Sequence, residues 1–177
     1  LVQQLVVLVF EVHDEQQAKQ QHHAVLVHAG HAGLGVGAVD GAAVELPLTT
    51  TNNPALVYDS RADGWLVYLK DLNYDRAGNP VILFLTSKGF EAGPENGPRV
   101  WKTARWTGKA WTFRDFTTSL NNYDHGSLYI EADGTWRISA PTDPGPQPYN
   151  PGGEMVMWTS QDEGKAWKKI KQLTRNS

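Results

Sequence analysis

Apolar and polar positions alternate in short runs from residue 65 onward, and residues that favour turns bound each run. Such period-two alternation is typical of β-strands. The pattern predicts eight strands, at 65–72, 80–87, 99–106, 110–117, 126–132, 135–141, 154–160 and 167–173. Asp133 and Gly134 form a two-residue hairpin signal between two of them. The segment 81–85 is apolar throughout, which predicts a strand buried on both faces.

The predicted strands fall into two copies of one four-stranded unit. Val81 aligns with Trp136 at an offset of 55 positions, and Trp111 aligns with Trp167 at 56, because the earlier copy has one turn residue fewer. This repeat predicts an all-β fold: a partial β-propeller of about two four-stranded antiparallel blades plus an irregular N-terminal segment. A two-sheet sandwich with coincidental repeats is the alternative.

The first 49 residues differ in composition from the rest of the chain. They contain no Ser, Asn, Trp or Tyr, and they hold five of the six histidines. The sequence therefore divides into an atypical segment at 1–49, a connection or the end of a preceding blade at 50–64, and blades at 65–118 and 119–177. Two interpretations of the atypical segment stay open. It is foreign to the fold, as an out-of-frame or misassembled translation would be, or it is a degenerate strand pair or the tail of a preceding blade.

The histidines of this segment do not predict a metal site. Neighbours such as His22 and His23 point to opposite faces of a strand, and no Cys or carboxylate cluster completes a tetrahedral set of ligands. The sequence predicts no cofactor either, since 33–37 lacks the Lys and the strand–helix setting of a phosphate-binding glycine loop.

Charge and hydropathy exclude two classes of partner. A formal net charge of −3 argues against nucleic acid, because phosphate binding requires a basic surface. No apolar run approaches the ~18 residues of a membrane span. The basic residues near the end of the chain are expected to lie on a solvated outer strand. Two blades do not close a propeller, so we expect the remaining blades of a longer parent chain to cover the apolar faces between blades.

The segment Ser160-x-Asp162-x-Gly164-x-x-Trp167 carries a resemblance to a known family. It resembles the Asp-box of bacterial-neuraminidase-repeat (BNR) proteins, the sialidase-like β-propellers, although Ala166 stands where that family usually has Thr. The resemblance implies a turn between the third and fourth strands of a blade. Asp162 is expected to accept hydrogen bonds from backbone N–H groups of this turn, and Gly164 to adopt a positive φ. The box is therefore expected to be structural.

Strand topology predicts which loops carry function. Loops alternate between the two ends of a blade, so the loops at 87–99, 117–125 and 142–154 lie at the end opposite the Asp-box. By resemblance to sialidase-like propellers, this second end carries the active site. His125 is the best single candidate, because imidazole exchanges a proton near neutral pH and the position begins an innermost strand. A packing role for His125 is the alternative.

The resemblance extends over about residues 50–175 and includes polysaccharide lyases. It implies an anionic polysaccharide as partner, a cation that neutralises the uronate carboxylate, and His or Tyr side chains that move the proton. The candidate catalytic residues are His125, Tyr149 and Arg99, and the candidate substrate-binding residues are Lys88, Tyr123, Asp124 and Asn150. Lys88 is an alternative to Arg99 as the cation, and Tyr123 an alternative to Tyr149.

Two classes of function stay open at this point. One is a carbohydrate-active enzyme, a uronate lyase or a glycosidase. The other is a non-catalytic propeller that binds sugar or protein, in which Trp101 and Trp106 are packing or stacking surfaces. The family resemblance implies an extracellular or periplasmic location.

Overall fold

The computed structural model of the chain describes residues 54–60, 62–120, 125–149 and 153–176, together with the backbone of two strands before residue 31. It is an all-β structure whose described residues include only one short helical turn, Pro94–Asn96. The strands are β1 Gln4–Glu11, β2 His22–Gly30, β3 Leu56–Asp59, β4 Leu66–Tyr74, β5 Pro80–Ser87, β6 Arg99–Trp106, β7 Trp111–Ser119, β8 Ser127–Ile130, β9 Trp136–Asp143, β10 Glu154–Ser160 and β11 Lys168–Gln172.

The chain forms two compact units, Leu1–Val67 and Tyr68–Ser177. The first unit contains a three-stranded antiparallel sheet in the order β1-β2-β3. Strands at 4–11 and 22–30 lie in the segment for which the composition suggested irregular backbone, and whether this segment is foreign to the fold stays a prediction. The run at 5–10 favours extended backbone because it is rich in Val and Leu, and β2 pairs with both β1 and β3. The His and Gly positions at 31–37 lie outside the described residues.

The second unit consists of two four-stranded antiparallel sheets in the orders β4-β5-β6-β7 and β8-β9-β10-β11. All eight predicted strands are present, with ends that match the prediction or differ from it by at most two residues, so the predicted all-β fold with two blades of a partial propeller is confirmed. Each sheet follows chain order, with neighbours joined by hairpins or loops. Trp111 begins β7 and Trp167 directly precedes β11, as the repeat predicted.

The core of the second unit lies between its two sheets. Val81, Leu83 and Leu85 of β5 pack with buried residues of the second sheet, including Trp136 and Ile138. Every residue of β5 is buried, which confirms the strand predicted to be enclosed on both faces. The largest side chains of the core are the indoles of the two sheets, and burial of such aromatic surface dominates the energetics of a small β-domain.

Phe116 joins the two sheets through aromatic contacts. Its ring meets Trp101 of its own sheet edge-on, with centroids 6.2 Å apart, and Trp158 of the other sheet, with centroids 5.9 Å apart. Both indole N–H groups donate to a hydroxyl near the end of a strand: Trp101 Nε1 to Ser119 Oγ and Trp158 Nε1 to Thr142 Oγ1, each at 2.9 Å. These bonds tie the core to the strand ends from which the long loops leave.

Candidate functional site

The long loops of both blades lie at one end of the two sheets. The loop between β5 and β6 and the loop between β9 and β10 leave from this end, and so does the connection that follows β7. The hairpin turns after β4, β6, β8 and β10 lie at the other end, because consecutive strands are antiparallel. We call residues 88–98, 117–120 and 141–149 the loop face.

The loop face encloses a cavity of about 490 Å³. Its walls come from both blades, and most of its side chains are prolines or carry hydroxyl or amide groups. The lining residues are Pro98, Thr117, Thr118, Ser119, Leu120, Pro141, Thr142, Asp143, Pro144, Gly145, Pro146, Gln147, Pro148 and Gly153. The prolines restrict the backbone around the cavity, because their φ angles are fixed.

Arg99 lies beneath this face and is fully buried. Its guanidinium donates through Nη1 to the carbonyl oxygens of Gly93 and Leu120, the latter at 3.0 Å, and through Nη2 to that of Glu91 at 2.6 Å. A charged donor satisfying several carbonyls makes a strong local connection. Arg99 therefore holds the β5–β6 loop against the chain that leaves β7. A role in neutralising a substrate carboxylate stays a prediction, and the buried guanidinium would have to become accessible to perform it.

Tyr149 joins the loops of the two blades. Its hydroxyl donates to Glu95 Oε1 at 3.2 Å, although the two residues are 54 positions apart in the chain. The backbone N–H of Tyr149 donates to Gln147 Oε1 at 2.6 Å. The ring lies against Gly93, where a Cβ atom would come within 2.6 Å of the tyrosine ring. Half of the Tyr149 surface remains exposed, so the phenol is accessible at the rim of the loop face.

Glu95 makes this phenol harder to ionise. Its hydrogen bond to the hydroxyl, assisted by the repulsion between carboxylate and phenolate, raises the pKa of Tyr149 above the ordinary value of 10.0. Tyr149, like an ordinary tyrosine, is a protonated phenol at neutral pH. Because the shift makes it a weaker acid, it can donate its proton only to a strongly basic oxygen, such as a departing alkoxide.

His125 is exposed and lies just before β8. The next residue, Gly126, is buried against the indole of Trp101, where a Cβ atom would come within 2.5 Å of the ring. This close approach fixes the point at which the chain enters the inner strand. His125 lies at the same end of the sheets as the loop face, but neither His125 nor Tyr149 is among the residues that line the cavity.

Asp71, which the sequence analysis did not single out, anchors the same inner strand. Its Oδ2 accepts hydrogen bonds from Leu128 N at 2.7 Å and Ser127 Oγ at 3.1 Å, and Asn73 Nδ2 donates to the Leu128 carbonyl at 3.1 Å. These bonds join β4 and β8, the first strands of the two blades. The only signal in the sequence is that Asp71 and Asn73 are two positions apart and so share one face of a strand. Polar residues on a solvent-facing side of a strand show the same spacing.

Of the remaining candidates, Lys88 is exposed at the end of β5, and Tyr123, Asp124 and Asn150 lie outside the described residues. Within the part of the chain that the structure describes, no cluster of three or more His, Cys, Asp or Glu side chains is arranged to hold a metal ion. None of the helices found among these residues has the length and apolar character to cross a membrane.

The turn at 160–167, which resembles an Asp-box and which we call the Asp-box turn, lies at the end of the sheets opposite the loop face. Asp162 Oδ1 accepts from the backbone N–H groups of Lys165 at 3.0 Å and Ala166 at 2.9 Å, and from Ser160 Oγ at 2.7 Å. The pKa of Asp162 lies below its ordinary value, mainly because of the hydrogen bond from the Ala166 N–H and secondly because of the one from Ser160 Oγ. Gly164 has a φ of 79° and lies directly against the Trp136 ring. This hydrogen bonding is that of a structural turn.

Two solved structures match the chain, and both are of a polysaccharide lyase, the PL25 ulvan lyase. The first has a TM-score of 0.59, and the second, in which the lyase is bound to glucuronate linked 1,4 to 3-sulphated rhamnose, has a TM-score of 0.60. Each is 16% identical to this chain and aligns with 87% of it, whereas the chain spans only 34% of the lyase. At this identity the likeness shows a shared fold. No protein-family model matches the chain, and neither does any curated protein.

Proposed function

We propose that this chain is part of a carbohydrate-active protein that holds an anionic polysaccharide on the loop face and cleaves it by β-elimination beside a uronate. The observation that carries the proposal is the convergence of loops from two blades around one cavity, together with the Tyr149–Glu95 hydrogen bond that joins these loops. The shared fold with a polysaccharide lyase supports the substrate class. The Asp-box supports a relationship to sialidase-like BNR propellers.

We assign the roles in this reaction by side-chain chemistry, and the assignment requires a bound uronate to reach both His125 and Tyr149. His125 removes the proton from C5 of the uronate, and the C5–H electrons form a C4=C5 double bond as the C4–O bond breaks. The phenol of Tyr149 donates its proton to the departing oxygen. No electrons are gained or lost overall, and solvent returns the proton from His125 to Tyr149.

Lys88 is the accessible cation that we assign to the uronate carboxylate, since the structure encloses Arg99. Neutralising this carboxylate lowers the barrier to proton removal, because charge develops next to it in the transition state. Arg99 acts by positioning the loop that follows Lys88. Tyr123, Asp124 and Asn150 are proposed to contact the saccharide.

The reaction is tested by the ultraviolet absorbance of the unsaturated uronate product with ulvan as substrate. His125→Ala and Tyr149→Phe are each expected to lower turnover by about 100-fold or more, as general acid–base groups do. Asp162→Ala is the matched control, because this carboxylate lies at the opposite end of the sheets and supports a turn. It is expected to lower the unfolding midpoint and leave turnover per folded molecule unchanged.

The second candidate function is a non-catalytic saccharide-binding module. The lining of the cavity favours it, since Asp143 is the one charged residue among the described lining residues and His125 is not in the wall. Ulvan binding without any double-bond product would support this candidate. New reducing ends without the double bond would instead indicate a glycosidase, for which the Tyr149–Glu95 pair is a suitable nucleophile and base.

We also propose that further blades of a parent chain complete the propeller. The face of the second sheet that points away from the first sheet carries Tyr129, which is exposed, and Met155 and Met157, which are partly exposed. A neighbouring blade would bury this face as the two described blades bury theirs.

A further inference from the structure

A concentrated basic strip runs along β11 and its flanks. We call Lys165, Lys168, Lys169, Lys171 and Arg175 the basic row. Five cations within eleven residues contrast with the formal net charge of −3 for the whole chain. The corresponding outer strand of the first sheet, β7, carries a single basic residue, Arg114. The row is therefore a property of one blade and not of outer strands in general.

The row is exposed and largely unpaired. All five of its residues are exposed to solvent. Lys169 forms an ion pair with Asp143. Within the part of the chain that the structure describes, Lys165, Lys168, Lys171 and Arg175 form no ion pair. Their charges are consequently available to an anionic partner. Binding of such a partner would relieve the repulsion between these neighbouring cations.

The row occupies the edge of its sheet. β11 is the outermost strand, paired only with β10, so its side chains project from both faces along an open edge. Ile170 and Leu173 lie among the cations with 48% and 42% of their surfaces exposed. At ~3.3 Å per residue, the strand spans ~17 Å, the scale of a short oligosaccharide. Alternating cations and apolar surface suit a polymer with anionic groups and apolar sugar faces.

The row leads to the loop face. β11 runs from the Asp-box end toward the loop end, where Thr174 Oγ1 donates to Glu154 Oε2 at 2.6 Å at the start of β10. Arg175 follows directly. Lys169 pairs with Asp143, which is itself part of the cavity wall. The strip and the cavity are therefore continuous.

We propose that the basic row is a second binding site, which holds a sulphated or carboxylated polysaccharide chain and directs it to the loop face. The identity of the polymer rests on the proposed function, but the reaction at the loop face does not enter the argument. Duplex nucleic acid would require a broader basic surface than one strand edge, and a saccharide accounts for the exposed Ile170 and Leu173 as well.

The test compares two double variants that remove the same charge. Lys168→Gln with Lys171→Gln removes the centre of the row. Arg76→Gln with Lys109→Gln removes two cations from exposed turns at the Asp-box end and serves as the control. The probe is a fluorescent ulvan oligosaccharide that binds to the full 177-residue chain, measured by anisotropy over a range of salt concentrations.

The row variant is expected to bind the probe about tenfold more weakly at low salt, since each exposed cation beside an anionic partner contributes on the order of a fewfold. The slope of log Kd against log salt should fall by about 2, one per lost cation. The control should stay within about twofold of the unaltered chain.

Equal loss of affinity for the probe in both variants would show that only net charge matters and would overturn the proposal. Unchanged affinity of the row variant would overturn it as well. Equal competition by a single-stranded oligonucleotide of the same charge would overturn the assignment to a saccharide. If the chain produces no unsaturated uronate but the row variant still loses affinity selectively, the lyase proposal fails and the binding site stands.

Discussion

Gly164 provides a quantitative test of how the Asp-box turn is packed. Its φ of 79° is in the left-handed region, and an added Cβ atom would lie 2.9 Å from the Trp136 ring. Trp136 is only 2% exposed and contacts Trp167, so the ring has little room to yield. Gly108 is the corresponding glycine in the first blade. Its φ is 86°, but an added Cβ would have no heavy atom within 4 Å.

The two alanine substitutions therefore share a backbone penalty and differ in a contact. Left-handed backbone destabilises an alanine by about 1–2 kcal/mol relative to glycine. We expect Gly108→Ala to lower the free energy of unfolding by that amount alone. Overpacking against a rigid ring adds about 1–3 kcal/mol, so Gly164→Ala is expected to lower it by about 2–5 kcal/mol. In a chain of this size, the midpoint falls by about 2–4 °C per kcal/mol.

Urea unfolding followed by tryptophan fluorescence gives both free energies. The control is Gly164→Ala measured in a Trp136→Phe background, because the smaller ring removes the clash. In that background, Gly164→Ala should lower the free energy of unfolding by about as much as Gly108→Ala does in the unaltered chain. Equal penalties for the two alanine variants in the unaltered background would refute the packing argument.

Three further outcomes are expected. Hydrogen bonds from Asn79 and Arg105 outweigh burial and hold the pKa of Asp75 below its ordinary value of 3.8, so Asp75→Asn should destabilise the chain by about 1–3 kcal/mol at neutral pH. The difference in stability between Asp75→Asn and the unaltered chain should shrink in acid-unfolding curves as pH falls below 3.8, since protonation of Asp75 removes its stabilising contribution there. A difference that does not change with pH would contradict this role of the Asp75 carboxylate. Glu95→Gln should lower the pKa of Tyr149, measured by pH titration of phenolate absorbance with Tyr149→Phe as the reference that lacks this phenol. An unchanged titration would contradict the hydrogen bond between Tyr149 and Glu95. Removing residues 1–49 leaves β4–β11 with their strand partners, so their unfolding midpoint should not fall; a clear drop in calorimetry would show that the segment supports them.

The strands of the second unit were predictable from sequence because period-two alternation is a local signal. The segment 81–85 specified a buried strand by itself, and the repeat of Trp111 at Trp167 specified the architecture. The strands at 4–11 and 22–30 were harder to predict, since their pairing depends on β3, a distant partner, while their composition resembles no other part of the chain.

The site was only partly predictable. Topology places the long loops at one end, but the contacts within them depend on irregular backbone for which sequence carries no period. Nothing local indicates that Tyr149 meets Glu95, 54 positions earlier, or that Arg99 points into its own loop. Both interactions require the turns set by Gly93 and the nearby prolines. Asp71 was missed because a carboxylate within a strand looks the same whether it faces water or anchors a neighbouring strand.

The contacts at the two ends of the sheets are the basis for assigning stability to one end and proposing binding at the other. At the Asp-box end, Arg105 bridges the blades, donating to Asp75 Oδ2 at 2.9 Å through Nε and to Glu163 Oε2 at 2.8 Å through Nη1. The turns there are short and satisfied by their own side chains, which leaves few groups for a ligand. At the loop face the backbone is irregular, hydroxyl groups line a cavity, and a phenol is half exposed. Because one end fixes how the blades pack, loops at the other end can vary in sequence without loss of the fold. That asymmetry is why we locate chemistry at the loop face and why substitutions at the Asp-box should change stability and not turnover.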